Sequence, residues 1–224
     1  MTDPEANISY LKTRIPGSVK LIAVSKTKGA DEIMKVYNCG QRIFGENRVQ
    51  ELLEKKALLP EDIEWHLIGH LQTNKVKYVV PFIGMIESVD TYKLLSTINS
   101  ESRKINRITD CLLQIHIAEE ETKYGFSITE IREIGGSGAF KELNNLRICG
   151  VMGMATFTDD TDQVRKEFSF LRECRNSLKE NFFASDDYFR EISMGMSGDY
   201  ATAIEEGSTM LRIGSLVFGE RIKK

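Results

Sequence analysis

Three stretches of this sequence bring reactive or anion-binding side chains to places where an apolar run gives way to small residues. The first is LIAVSKTKG (21–29), in which a run with the character of a buried strand ends on Ser25 and Lys26. Burying a charged amine is unfavourable unless it is paired or neutralised. Either the strand stops and Lys26 points to water, or the amine stands partly desolvated at a rim. In the second case its pKa falls from about 10.4, and the free amine can attack a carbonyl. Lys28 and Lys75 compete less well, one lying in the loop beyond and the other opening a helix. The second stretch, SMGMSGDY (193–200), has small residues that admit a ligand to the backbone. Ser197 or Asp199 is placed there to cap a following helix, whose positive end favours an anion. The third, LRIGS (211–215), offers Gly214 for close approach and the N–H and hydroxyl of Ser215 for the same anion. By strand alternation Arg212 points to the same face as Gly214, and an inward arginine needs a partner. Each stretch alone is commonplace; brought together, they bind a phosphate-bearing carbonyl compound.

The order of elements is what brings them together. Apolar runs of strand length recur at 20–26, 42–47, 64–69, 84–90, 110–117, 146–154, 189–196 and 209–219. Amphipathic stretches separate them at 30–40, 48–59, 73–83, 91–105, a Gly-interrupted 127–143, 162–182 and 198–207. ANISYLKTRI precedes the first strand as an extra N-terminal helix. Asp90 or Thr91, and Thr161 or Asp162, are expected N-caps, with Gly40 and Gly207 as helix stops. The glycines of GGSGAF read as a break between two short helices. Strict alternation implies long crossovers and hence parallel pairing. Eight units over 224 residues fit a single closed (β/α)8 TIM barrel, an α/β fold formed by residues 1–224 as one domain. An open doubly wound sheet is the alternative, but no GxGxxG follows the first strand. In a closed barrel the first, seventh and eighth strands are neighbours, and their carboxyl ends share the rim on which such barrels carry sites.

Composition excludes several classes. Thirty basic against 33 acidic side chains give a net charge of -3, no footprint for nucleic acid or an anionic membrane. No apolar run approaches the ~18 residues of a membrane span, and the N-terminus lacks the layout of a secretory signal. A cytoplasmic protein is expected. Cys39, Cys111, Cys149 and Cys174 lack metal-site or disulfide-framework spacing and are expected as buried or half-buried thiols. His66 and His70 of HLIGH lack the glutamate of HExxH and begin in a strand, so no metal is expected there.

LIAVSKTK, FGENRVQE, HLIGHLQTNK, HIAEEETKYGF, GVMGMATF, SMGMSGDY and TMLRIGSLVFGER, in that order from residue 21 to 221, resemble the YggS/PROSC family of pyridoxal-phosphate homeostasis proteins. The resemblance implies the barrel of the fold-type III pyridoxal 5'-phosphate (PLP) enzymes, similar to the N-terminal domain of alanine racemase. It implies PLP as cofactor, with Lys26 forming the internal aldimine, Ser197 and the backbone of Gly214 and Ser215 holding the phosphate, and Arg212 facing the pyridine nitrogen. A permanently charged arginine there favours the unprotonated nitrogen, because protonation would set two cations side by side. The ring is then a weaker electron sink. Asn47, Met152, Met154 and Met196 are placed around the cofactor, although Met152 and Met154 are equally core filler and Asn47 equally a helix cap. His70, Gln72, Asn74 and Lys75 match the family motif without a stated role, and Arg48 stands where many members have a tyrosine.

The expectation is a PLP carrier that maintains intracellular vitamin B6 homeostasis without strong catalysis of its own, a monomer or weak homodimer with PLP-dependent apo-enzymes as recipients. An amino-acid racemase is the alternative, and a Schiff-base aldolase on a sugar phosphate a second. Racemisation needs an acid and a base on opposite faces of the substrate. Alanine racemase-like enzymes draw a tyrosine from a C-terminal β-domain that this chain is expected to lack. Tyr124 and Tyr200, the tyrosines near rim loops, read as surface or packing residues.

Overall fold

The computed structural model describes residues 3–120 and 124–220. Residues 121–123 of HIAEEETKYGF, and Arg221 of the last motif, lie outside the described residues. Eight parallel strands close on themselves in sequence order. They are β1 (Lys20–Val24), β2 (Ile43–Glu46), β3 (Glu64–Leu67) and β4 (Met85–Val89), then β5 (Thr109–Gln114), β6 (Leu146–Met152), β7 (Glu191–Ser193) and β8 (Met210–Ile213). β1 pairs with both β2 and β8, Ile22 lying opposite Arg212, and β8 pairs with β7, so LIAVSKTKG, SMGMSGDY and LRIGS share one rim.

Both faces of these strands are covered, which is why they read as near-continuous apolar runs. Ile22, Met85, Leu112, Cys149, Met152 and Met210 form a separate apolar cluster inside the barrel. The outward faces pack on helices α1 (Pro4–Arg14), α2 (Ala30–Asn38), α3 (Val49–Leu58), α4 (Val76–Val79), α5 (Tyr92–Lys104), α6 (Ile128–Gly136), α7 (Thr161–Phe182), α8 (Tyr200–Glu205) and α9 (Ser215–Phe218). Helix α1 starts where Asp3 accepts the N–H of Glu5 and Pro4 presets the first turn. It buries Ile8 and Leu11, and its Asn7 Nδ2 donates to the carbonyl of Val217 at 3.1 Å, fastening α9 to the barrel.

Several local expectations are corrected. TMLRIGSLVFG is not one strand: β8 stops at Ile213, and Gly214 turns the chain into α9. The stretch 73–83 is a 3-10 turn (Thr73–Lys75) followed by the four residues of α4, cut short before Pro81. Asp160, not Thr161 or Asp162, caps α7, its Oδ1 accepting from the N–H groups of Asp162 and Gln163. Thr91 caps α5, while Asp90 instead faces His70 Nδ1 at 2.9 Å. Arg48 holds the N-cap position of α3, so Asn47 is not its cap. Gly40 and Gly207 follow α2 and α8 with φ of 80° and 90°, and Gly138 separates α6 from a second short turn, as expected. The four cysteines are free, three buried and Cys39 half-buried.

Candidate functional site

The rim at the carboxyl ends answers why an apolar strand should end on an ammonium. β1 finishes at Val24, and a turn closed by Lys28 N–H donating to the Ser25 carbonyl at 3.0 Å follows. Thr27 in that turn has φ 68°, a left-handed conformation that opposes its branched Cβ. A buried cluster holds the turn. Lys55 Nζ of α3 donates to the Ser25 carbonyl, to Glu46 Oε1 and to Glu51 Oε1, each at 2.7 Å. Ser25 Oγ donates to Glu46, and the N–H of Thr27 to Glu51, each at 2.5 Å. Burial raises the pKa of Glu46 against the pull of Lys55 and Ser25. With the backbone tied on both sides, the Lys26 side chain lines a cavity instead of packing into the core.

That cavity encloses about 430 Å³ and lies within the span of loops after β1, β2, β6, β7 and β8. Of the residues singled out from sequence, Lys26, Asn47, Met154, Met196, Ser197, Arg212, Gly214 and Ser215 all line it. Met152 does not. It is fully buried one layer deeper, against Ile22 and Met210, because Met152 and Met154 share a face two residues apart and the upper one reaches the rim. Lys28 also lines the cavity, with its Nζ donating to the Phe218 carbonyl and to Glu32.

The β7 and β8 loops are joined at the cavity wall: Ser197 Oγ accepts the N–H of Leu216 at 3.3 Å. Asp199 stands before α8, but its carboxylate accepts the N–H of Met196 and not of the helix, so it shapes the SMGMSG turn. Gly195 in that turn has φ 95°, and a Cβ there would meet Ala203 and Leu211 at 2.5 and 2.7 Å. A Cβ on Gly198 would meet nothing, so this wall opens toward whatever the cavity holds.

The inward arginine has its partners. Arg212 is buried, donating from Nη1 to Ser193 Oγ at 2.6 Å and from Nη2 to the Gly153 carbonyl at 2.8 Å. Glu87 Oε2 lies 4.0 Å from the guanidinium. Burial lowers the arginine pKa from its ordinary value while Glu87 and Asp199 oppose the shift. Glu87 in turn faces His66 Nδ1 at 2.6 Å. Burial works against a charged His66, yet Glu64 and Glu87 outweigh it and hold its pKa at about 9.

Sequence reasoning missed the β6–α7 loop, from which Thr156, Phe157, Thr158 and Asp159 line the cavity mouth. Phe157 is 95 % exposed there, and no periodicity marks it. It also missed the Lys55 cluster and the partners of Arg212, which lie far apart in the chain. His70, Gln72 and Lys75 line a second cleft together with Asn47, Arg48 and the first turns of α3, and the His70 ring stacks on Tyr124 at 4.4 Å. Among the described residues, no group of three or more His, Cys, Asp or Glu is placed to hold a metal, and no helix is long and apolar enough to cross a membrane.

Fold and rim define a class: closed parallel barrels that present an amine, a buried arginine and two small-residue turns in one cavity at the carboxyl ends of the strands. The family model described as alanine racemase, N-terminal domain, matches residues 4–222. The pyridoxal phosphate homeostasis protein of Aquifex aeolicus is 41% identical over 203 residues, 90% of this chain and 87% of that protein. The human protein of the same name is 40% identical over 217 residues, 90% of this chain and 76% of its own. The structure of PipY from Synechococcus elongatus PCC7942, with PLP bound, matches with a TM-score of 0.88 at 33% identity, covering 96% of this chain and 100% of that one. An alanine racemase of Clostridium difficile 630 shares the fold, with a TM-score of 0.77 at 13% identity over 99% of this chain and 57% of its own. The chain belongs to the alanine racemase N-terminal domain family and, within it, to the pyridoxal phosphate homeostasis proteins.

Proposed function

We propose that this chain is a PLP carrier serving vitamin B6 homeostasis, holding the cofactor in the rim cavity and passing it to PLP-dependent apo-enzymes in the cytoplasm. One observation carries the reading: Lys26, from near the start of the sequence, and Ser197, Arg212, Gly214 and Ser215, from near its end, line one cavity of about 430 Å³. That volume falls in the range of small-molecule sites. The name of its relatives and the PLP bound in PipY support the same reading.

The residues fit the group. Ser197 and the Gly214–Ser215 turn suit a phosphate, Lys26 an aldehyde, and the buried Asn47 Oδ1, which lacks a hydrogen-bond partner, suits a ligand hydroxyl. Met154 and Met196 line the same cavity and would offer apolar contact to a ring held there. PLP, when bound, supplies an aldehyde that condenses with amines and a ring that draws electrons. Arg212 is a strong base held against ionised Glu87, so a ring nitrogen placed beside it would stay unprotonated, which would favour holding the cofactor over carbanion chemistry. Neither Tyr124 nor Tyr200 lines the cavity. We take residues 1–224 as one functional domain, working as a monomer or weak homodimer.

The test is a spectrum of protein mixed with PLP, borohydride reduction, and mass spectrometry. The cofactor mass is expected on Lys26 and lost in Lys26→Ala; a label on Lys28 or Lys75 with Lys26 bare would refute the assignment. Turnover of either amino-acid enantiomer well above that of free PLP would replace the carrier with an enzyme.

A further inference from the structure

Below the cavity, a line of polar side chains continues down the barrel axis. Arg212 Nη1 donates to Ser193 Oγ at 2.6 Å, and Ser193 Oγ donates to Glu87 Oε2 at 2.5 Å. Glu87 Oε1 lies 2.6 Å from His66 Nδ1, and His66 Nε2 lies 3.1 Å from Glu64 Oε1. Arg212, Ser193, Glu87 and His66 come from β8, β7, β4 and β3, and all four are buried. Glu64, at the start of β3, is half exposed at the opposite end of the barrel from the cavity.

We infer that Ser193, Glu87 and His66 are positioning residues for Arg212, holding its guanidinium at the floor of the cavity as a fixed cation against the PLP ring. The inference rests on the reading of that cavity as a PLP site. Its direction follows from proton counting. An ionised carboxylate only accepts, so the single hydroxyl hydrogen of Ser193 goes to Glu87 and its lone pairs turn to Arg212. His66 faces carboxylates at both ring nitrogens and is a donor at both, so it keeps Glu87 ionised. The charges alternate from Glu64 to Arg212 and sum to zero, which lets a guanidinium remain charged out of water. With Nη2 tied to the Gly153 carbonyl, Arg212 is held at two points. Stability alone does not account for this column. A buried set of charges is on average no more stabilising than apolar filling of the same volume, and the adjacent interior is filled with Ile22, Leu112, Met152 and Met210. Holding a charge in a set place before the ligand arrives does account for it.

The test uses the PLP-loaded full chain and reads two things, the absorption maximum and the rate of PLP release on dilution. Ser193→Ala and Glu87→Gln are expected to shift the band and to speed release about tenfold, the lower end of what one charge-assisted hydrogen bond contributes. Ser193→Thr, which keeps the hydroxyl, returns the release rate toward wild type. In an Arg212→Gln background neither change adds further effect, because both act through the arginine. Wild-type band and rate in Ser193→Ala would overturn the inference, as would an undiminished effect without Arg212. Should Glu87→Gln fail to fold, the Ser193 pair decides alone. Borohydride labelling of Lys26 in the same wild-type sample separates the outcomes: label present with unaffected variants defeats the column only, and label absent defeats the PLP reading with it.

Discussion

Lys26 owes its place to its neighbours. Thr27 sits at φ 68°, which for a branched residue is worth roughly 1–2 kcal/mol of strain. Thr27→Gly relieves it but loosens the unfolded chain by about 0.4–1 kcal/mol, so a net gain of roughly 0.5–1 kcal/mol in denaturant stability is expected. With the turn freed, PLP release is expected to quicken; a less stable variant would show that the conformation is not strained. His66 gives a pH signature. Its folded pKa of about 9 stands above the ordinary 6.5, so its stabilisation is complete below about pH 6.5 and lost as pH rises through 9. The loss amounts to ~3 kcal/mol, and a wild-type slope persisting in His66→Gln between those pH values would sink the assignment. Lys26 was legible because an ammonium after an apolar strand demands a reason, and Arg212 because alternation turned it inward. Thr27 was not, since nothing in TKG announces a left-handed threonine. Nor was the depth of Met152 against Met154, which depends on where each strand sits in the closed barrel.

At the scale of elements, α3 acts as a clamp on the turn after β1. Its Lys55 neutralises Glu46, a fully buried carboxylate whose Oε2 lacks a hydrogen-bond partner. Lys55→Met is expected to cost about 3–5 kcal/mol, because it strands that charge. The sign with pH is distinctive. Burial already raises the Glu46 pKa, and without Lys55 it rises further, so ionisation penalises the folded state and part of the lost stability returns as pH falls toward 5. Adding Glu46→Gln should restore stability at neutral pH; a double variant no better than the single would mean that Lys55 acts through packing alone. Strands and their order were readable because each carries its own apolar run. Their ends were less so: the apolar run after Gly214 continues through α9, which buries Val217 and Phe218, and a four-residue helix with an apolar half has the same composition as a strand end. The clamp itself escaped notice because Lys55 looks like one more charge on an amphipathic helix.

The whole molecule brings the Lys26 amine from one end of the sequence, and the Arg212 cation and the Ser197 and Gly214–Ser215 turns from the other, to one cavity, and that division of labour predicts how ligands stabilise it. A ligand bound to the folded chain at 100 times its dissociation constant adds about 2.7 kcal/mol, which for a chain of this size raises Tm by roughly 5–10 °C. PLP is expected to produce a shift of that order because it engages the amine, the arginine end and the cradle together. Pyridoxal, which lacks the phosphate, should lose most of it, and inorganic phosphate alone should keep a small part. In Lys26→Ala the PLP shift should fall toward that of a non-covalent ligand without vanishing, since Ser197, Gly214 and Ser215 remain. Ser197→Asp, which sets a carboxylate in the cradle, should remove the phosphate-dependent part while leaving pyridoxal unaffected. Equal shifts from PLP and pyridoxal would mean that the β7 and β8 loops do not hold the phosphate, and the barrel would then need another account of why these loops converge with Lys26.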